Sequence, residues 1–283
     1  MRDFSCGTLS YERHKGTDFR VSDYSLYHKG VYVIAAEDGV IIRARDGYID
    51  GEYIKKGEEA TKSIEEGNVV VLQHSDNWET LYAHLRKGSI AVKVGDKVKA
   101  GDILGVVGLS GKTEFTHLHF EVKKKNVRFD PFTGTEAIGC RIPQSNSFWN
   151  EKAQNILKYI RTGLIEAQFS SEIPDYKRLP LSDERSRIAI GIDADTLIYW
   201  IQAWGIKIAD RITITYTDPL GKVSTNQKVL KENQALHFQY LGMKRSPKGW
   251  VSGRYVGKVK LERIVAGAWQ IIFSNSSEIT IPN

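Results

Sequence analysis

The stretch His117-Leu118-His119-Phe120-Glu121-Val122 alternates polar and apolar residues without a break. Alternation of this kind has the period of a β-strand, in which residues i and i+2 share a face. Leu118, Phe120 and Val122 then point into a core. The two imidazoles stand side by side on the opposite, polar face, and Glu121 shares it. Working outward, short apolar runs at 31–34, 40–45, 68–73, 79–84, 89–92, 103–107 and 118–122 are separated by polar turns, several with Asp-Gly or Gly-Asp pairs. Gly accepts positive φ, so such pairs between apolar runs mark tight turns. No helix-length apolar period interrupts this region, which predicts an antiparallel sheet.

The rest of the chain keeps to that class. A polar insertion at 47–67 interrupts the strands, and its second half, 58–66, has the composition of a short helix. It reads as a solvated excursion or as a functional loop above the sheet. Trp149, Ala153, Ile156, Leu157 and Ile160 sit near helical spacing, predicting one helix over 148–160. Strand-like runs return at 188–192, 196–204, 212–216, 249–261 and 268–273. They suggest a small β-sandwich, in which Trp200, Trp204, Trp250, Tyr255 and Trp269 are expected in the core. The predicted fold is mainly β: an antiparallel β-sheet domain at 1–140, a small helical connector at 141–181 and a C-terminal β-sandwich domain at 182–283.

Composition excludes several classes. The 283 residues are 41% hydrophobic and 26% charged, which is ordinary for globular chains and unlike disordered or collagen-like ones. No window holds 18 consecutive apolar residues, so no transmembrane segment is expected. The first residues lack an apolar h-region, so the chain as given reads as carrying no secretory signal. Net charge is 40 − 34 = +6, which favours acidic partners. The basic residues are scattered, with one run at Lys123-Lys124-Lys125, and no recognition motif is present, so no nucleic acid partner is expected. The two cysteines, Cys6 and Cys140, bracket the region that holds the motifs. They read either as a disulfide in an exported protein or as two unrelated thiols.

Seven histidines are present, and three clusters carry chemistry. His14-Lys15-Gly16-Thr17-Asp18 pairs an imidazole with a carboxylate, and Gly16 between them would let the chain bend so that both converge. His117 and His119 share a strand face. Tyr82-Ala83-His84-Leu85 ends another strand. A catalytic zinc site takes three nitrogen or oxygen ligands and leaves one position open. Zinc lowers the pKa of bound water and polarises a carbonyl. Spare imidazoles then serve as base, acid or oxyanion stabiliser. The residues thus point to a zinc hydrolase, without deciding which of His117 and His119 binds the metal. Glu121 reads either as orienting a ligand or as a solvated strand end. His74 reads as structural, and His28 and His237 as ordinary surface residues.

These motifs, with Ser110-Gly111-Lys112-Thr113-Glu114-Phe115-Thr116 before the His-x-His strand and the hairpin sequence from Val94 to Gly105, resemble the lysostaphin/LytM-type zinc metalloendopeptidases. Those enzymes cut peptide bridges in bacterial peptidoglycan, and the resemblance spans roughly Gly7 to Phe132. It implies Zn2+ held by His14, Asp18 and His119, with His84 and His117 as catalytic residues flanking the scissile carbonyl. It also implies a substrate groove lined by Tyr82, Ser110 and Thr116. The expected substrate is peptidoglycan, with the D-alanyl–diaminopimelate cross-link as the first guess, in the periplasm or another extracytoplasmic part of the cell envelope. The competing expectations are a catalytically silent LytM-like regulator that activates a cell-wall amidase, and a glycan-binding module with a structural metal. The C-terminal domain could anchor the enzyme or contact an envelope protein.

Overall fold

The computed structural model describes residues 3, 5, 7, 9–10, 14–137, 146–182, 190 and 193–282. Cys6 and Cys140 lie outside them. The chain divides into two units, Met1–Tyr159 and Ile160–Asn283.

Unit 1 contains β1 (Thr17–Arg20), β2 (Tyr32–Ile34), β3 (Gly39–Arg45), β4 (Asn68–Gln73), β5 (Trp78–Leu85), β6 (Lys97–Val98), β7 (Ile103–Val106), β8 (His117–Lys124), β9 (Val127–Asp130) and β10 (Thr135–Glu136). Its helices are short: α1 (Tyr24–Lys29), α2 (Glu52–Lys56) and α3 (Glu151–Ile156). The main sheet runs β10-β9-β8-β5-β4-β3-β6, and β1 also pairs with β8. Each of these pairings is antiparallel. β2 and β7 form a separate antiparallel pair. The central strand β4 has Val69, Val70 and Leu72 at 0% exposure. It is covered on both faces, which is why it reads as an unbroken apolar run and not as an alternating one.

The edge of β8 away from β5 is shared by two strands. β1 pairs with residues 117–120 and β9 with residues 122–124. That division brings the His14-to-Asp18 segment alongside the His-x-His strand. β1 itself is not among the predicted strands, because four residues of mixed polarity carry no periodic signal. Residues 89–92 are not a strand. A lone backbone bond from Ala91 N–H to the Leu104 carbonyl ties them to β7, and one bond makes no ladder.

The insertion is built and not merely solvated. Glu58–Thr61 is a 3₁₀ turn, not the start of a helix over 58–66, and Gly57 at φ +83 separates it from α2. Thr61 is buried. The segment bonds back to the loop before β8: Gly51 N–H to the Leu109 carbonyl, and Lys112 N–H to the Glu65 carbonyl. The helix expected over 148–160 is confined to α3, capped by the Asn150 side chain, which accepts from Ala153 N–H at 2.9 Å.

Unit 2 contains β11 (Gly163–Ser170), β12 (Thr196–Ile206), β13 (Arg211–Thr217), β14 (Val223–Val229), β15 (Gln234–Lys244), β16 (Gly253–Val265) and β17 (Ala268–Ile281). They form two antiparallel sheets, β11-β12-β15 and β14-β13-β16-β17. Tyr199 and Ile201 of one sheet and Ile212, Ile214, Tyr255 and Leu261 of the other share a single core, as in a β-sandwich. β11 corrects the reading of 141–181 as connector, because Phe169 packs into this core and its strand pairs with β12. β14 and β15 were not foreseen, since their exposed faces dilute the apolar alternation. Trp200 and Tyr255 are buried as expected, but Trp269 is 44% exposed under the Arg211 guanidinium. His237 is not a surface residue. It is buried, with its ring nitrogens at 2.6 Å from Gln234 Oε1 and 3.1 Å from Gln239 Oε1.

Candidate metal centre

Register assembles the site. Asp18 of β1 lies directly opposite His119 of β8, and Ala83 of β5 lies opposite His119 on the other edge. Residues directly opposite on paired strands share a face. The His117, His119 and Glu121 face therefore also carries Asp18, with Leu81 and Ala83 beside it. Leu81 and Ala83 cluster with Val69 and Val71 into an apolar floor.

One carboxylate oxygen is the hub. Asp18 Oδ1 is 2.9 Å from His14 Nε2, 2.8 Å from His119 Nδ1 and 3.5 Å from His117 Nε2. One ligand atom each from His14, Asp18 and His119 fall within 4.8 Å of one another, and among the described residues this is the one such group of metal-type ligands. Two imidazole nitrogens and a carboxylate oxygen at this spacing fit a divalent metal of borderline softness. Burial raises the Asp18 carboxyl, but the charge of His117 and hydrogen bonds to His119 and His14 outweigh it and hold it well below the carboxylate range. Burial lowers His119, yet its bonds to Asp18 and Glu121 prevail and push it up to about 9.

Gly16 serves a different purpose from the bend expected of it. A Cβ there would lie 2.4 Å from the Phe120 carbonyl oxygen and 2.9 Å from His119 Nε2. The glycine permits close approach of β1's leading residues to β8, and strand pairing supplies the convergence. Gly16→Ala is expected to lift this segment off β8 and weaken metal binding by about 10–100-fold, the scale seen when support around ligands is disturbed. Competition with a chromogenic chelator measures it, and unchanged affinity would refute the steric argument.

His84 reaches the same face by a bulge. Val70 pairs with Tyr82 and Asn68 with Leu85, so β5 holds one residue more than β4 across this interval. His84 has φ +60, a left-handed conformation that costs a non-glycine residue about 1–2 kcal/mol. Regular alternation would put His84 on the Tyr82 face. The bulge re-aims it, as bulges beside functional sites do, and its ring centroid lies 4.8 Å from that of His117. Three bonds hold the conformation: His84 N–H to the Glu66 carbonyl, Gly108 N–H to the His84 carbonyl, and His84 Nδ1–H to the Ser110 carbonyl at 2.8 Å. His117 is held likewise, donating Nδ1–H to the Phe115 carbonyl at 2.9 Å with the Phe115 ring stacked on it at 4.2 Å. Both rings therefore turn Nε2 away from their carbonyl anchors. Burial, followed by the charges of His117 and His119, pushes His84 down to about 3; burial also lowers His117.

The three residues expected to line a groove are buried. Tyr82 is opposite Phe120, on the face away from the histidines, and its hydroxyl accepts from Ala36 N–H at 2.9 Å. Ser110 supports the site from behind. Its Oγ donates to the Leu85 carbonyl and accepts from Asn68 N–H, which fixes the loop whose carbonyl anchors His84. Thr116 is buried, and its carbonyl accepts from Val21 N–H. His74 stands outside the cluster, between the Asp38 carbonyl and Thr80 Oγ1. His28 is exposed on α1. Glu121 is no solvated strand end: it is 6% exposed and bonded to His119 Nε2 at 3.2 Å, Lys123 and Arg128. Burial raises its carboxyl, and the bonds to His119 and Lys123 overcome this and bring it down to about 2.

Known proteins are similar to this chain over the segment that carries the cluster. Residues 12–131 match Peptidase family M23. The M23 segment contains all five clustered residues. The chain is 33% identical over 146 residues to a peptidoglycan DD-endopeptidase, ShyA, of Vibrio cholerae, covering 51% of this chain and 27% of the relative. It is 40% identical over 91 residues to the cell division protein DipM of Caulobacter vibrioides, covering 30% of this chain and 14% of that one. The chain thus spans less than a third of the length of either relative. Among solved structures, the catalytic domain of the antimicrobial peptidase lysostaphin from Staphylococcus simulans matches at 28% identity and a TM-score of 0.31, covering 42% of this chain and 75% of that one.

Proposed function

We propose that this protein is a zinc metalloendopeptidase that hydrolyses peptide cross-links of peptidoglycan, with the D-alanyl–diaminopimelate bond as the first candidate. The reading rests on one observation: His14, Asp18 and His119 bring three ligand atoms within 4.8 Å of one another, with the His84 and His117 rings beside them. His14, Asp18 and His119 would hold the zinc. Bound there, zinc supplies Lewis acidity toward a carbonyl and lowers the pKa of water from about 15.7 toward about 7. His84 and His117 offer Nε2 to the reacting groups. One accepts the proton of the attacking water, and the other hydrogen-bonds the developing oxyanion. The match to M23 peptidases and the peptidoglycan enzymes among the relatives support the substrate class. An extracytoplasmic location follows from that substrate.

Digestion of purified cross-linked sacculi, read by mass spectrometry, tests the proposal. Zinc-loaded protein is expected to convert dimeric muropeptides to monomers, and chelated protein and His119→Ala to leave them intact. Zinc bound at one ion per chain without cleavage would instead favour a silent regulator of an amidase.

A further inference from the structure

The carboxylate of Glu121 is divided between two tasks. Its Oε2 takes Lys123 Nζ at 2.7 Å and Arg128 Nε at 3.1 Å. Its Oε1 faces His119 Nε2 at 3.2 Å. Arg128 comes from β9, directly across from Lys123, so two strands fix the carboxylate. On the other side of the same imidazole, Nδ1 faces Asp18 Oδ1 at 2.8 Å. An ionised carboxylate only accepts hydrogen bonds, so the imidazole nitrogen facing it must carry a proton. Both ring nitrogens face a carboxylate, but Nδ1 is the one on the side of the ligand cluster, and Nε2 is the one Glu121 holds.

We infer that Glu121 is a positioning residue that holds His119 in the orientation and tautomer a metal requires, an inference that rests on the functional reading above. His119 would offer Nδ1 to the metal while its Nε2–H stays on Glu121. Such carboxylate support orients a ligating histidine and raises its basicity. Lys123 and Arg128 keep the carboxylate from swinging away. A glutamine serves only half of this arrangement. With its oxygen toward His119, its amide N–H₂ meets the two cations.

Zinc affinity by chelator competition, not turnover, is the test. Glu121→Ala is expected to bind zinc about 10–100-fold more weakly than wild type, with Glu121→Gln between the two. Circular dichroism confirms that each variant is folded. Wild-type affinity in folded Glu121→Ala would overturn the inference while leaving the peptidase reading intact. Absence of zinc binding by the wild type would overturn both. A second measurement needs no variant: long-range nitrogen–proton correlation spectra of the zinc-loaded wild type. They are expected to show His119 coordinated through Nδ1 with a protonated Nε2. Coordination through Nε2 would sink the assignment.

Discussion

Asp18→Ala is expected to abolish metal binding and peptidoglycan cleavage together. One oxygen of this side chain lies within 2.9 Å of His14 Nε2 and His119 Nδ1, and 3.5 Å from His117 Nε2. Alanine removes one of three ligands and also the negative charge amid three imidazoles. Without it, no anionic ligand is left in the trio to offset the charge of a bound cation. The reaction then loses the drop in water pKa, from about 15.7 to about 7, so the rate should fall by at least ~10⁴-fold, to that of chelated protein. Asp18→Asn keeps an oxygen in place without the charge. It should bind zinc weakly and recover part of the rate at high zinc, separating charge from shape. Elemental analysis gives zinc per chain, and muropeptide release gives the rate. A fully loaded, fully active Asp18→Ala would show that the ligand set is misassigned.

The sheet of unit 1 was readable because its strands are apolar runs cut by turn residues. Asn68–Gln73 was foreseen residue for residue, since a strand buried on both faces cannot hide its composition. β1, β14 and β15 were not foreseen. Their evidence lies in partners, not in their own pattern: β1 is a strand because β8 offers it an edge. The converse error, at 89–92, has the same origin. An apolar stretch without a neighbouring ladder stays irregular.

The candidate site was legible as a list and not as an arrangement. His14, Asp18, His84, His117 and His119 could be singled out by spacing and by resemblance. Nothing in Tyr82-Ala83-His84-Leu85 announces that His84 is left-handed, and it was the resemblance that implied a groove position for Tyr82. The bulge separates them and sends Tyr82 into the core beside Phe120. Ser110 is legible as part of the loop before β8, but the bracing of the histidine from behind by its hydroxyl and carbonyl is not. Glu121 was visible as a same-face neighbour, but Arg128, which helps fix it, sits on the next strand beyond any local pattern.

The two flanking histidines separate chemistry from metal binding. His84 Nδ1 is committed to the Ser110 carbonyl and His117 Nδ1 to the Phe115 carbonyl. Each ring therefore has Nε2 for reaction, and neither belongs to the ligand trio. Burial lowers both, which favours the neutral ring that accepts a water proton; the ring that hydrogen-bonds the oxyanion must carry a second proton, on Nε2. His84→Ala and His117→Ala should each lower kcat by about 10²–10⁴-fold, the usual scale for a positioned general base or acid. The two should differ in zinc affinity. His117 Nε2 lies 3.5 Å from Asp18 Oδ1, so its loss disturbs the hub. The His84 ring centroid is 5.9 Å from that of His119, and its removal should leave zinc binding unchanged. The decisive comparison is therefore zinc content beside turnover in His84→Ala. Full occupancy with a collapsed kcat assigns His84 to the chemical step. Lost zinc would place it among the metal's supports, and an intact kcat would remove it from the mechanism altogether.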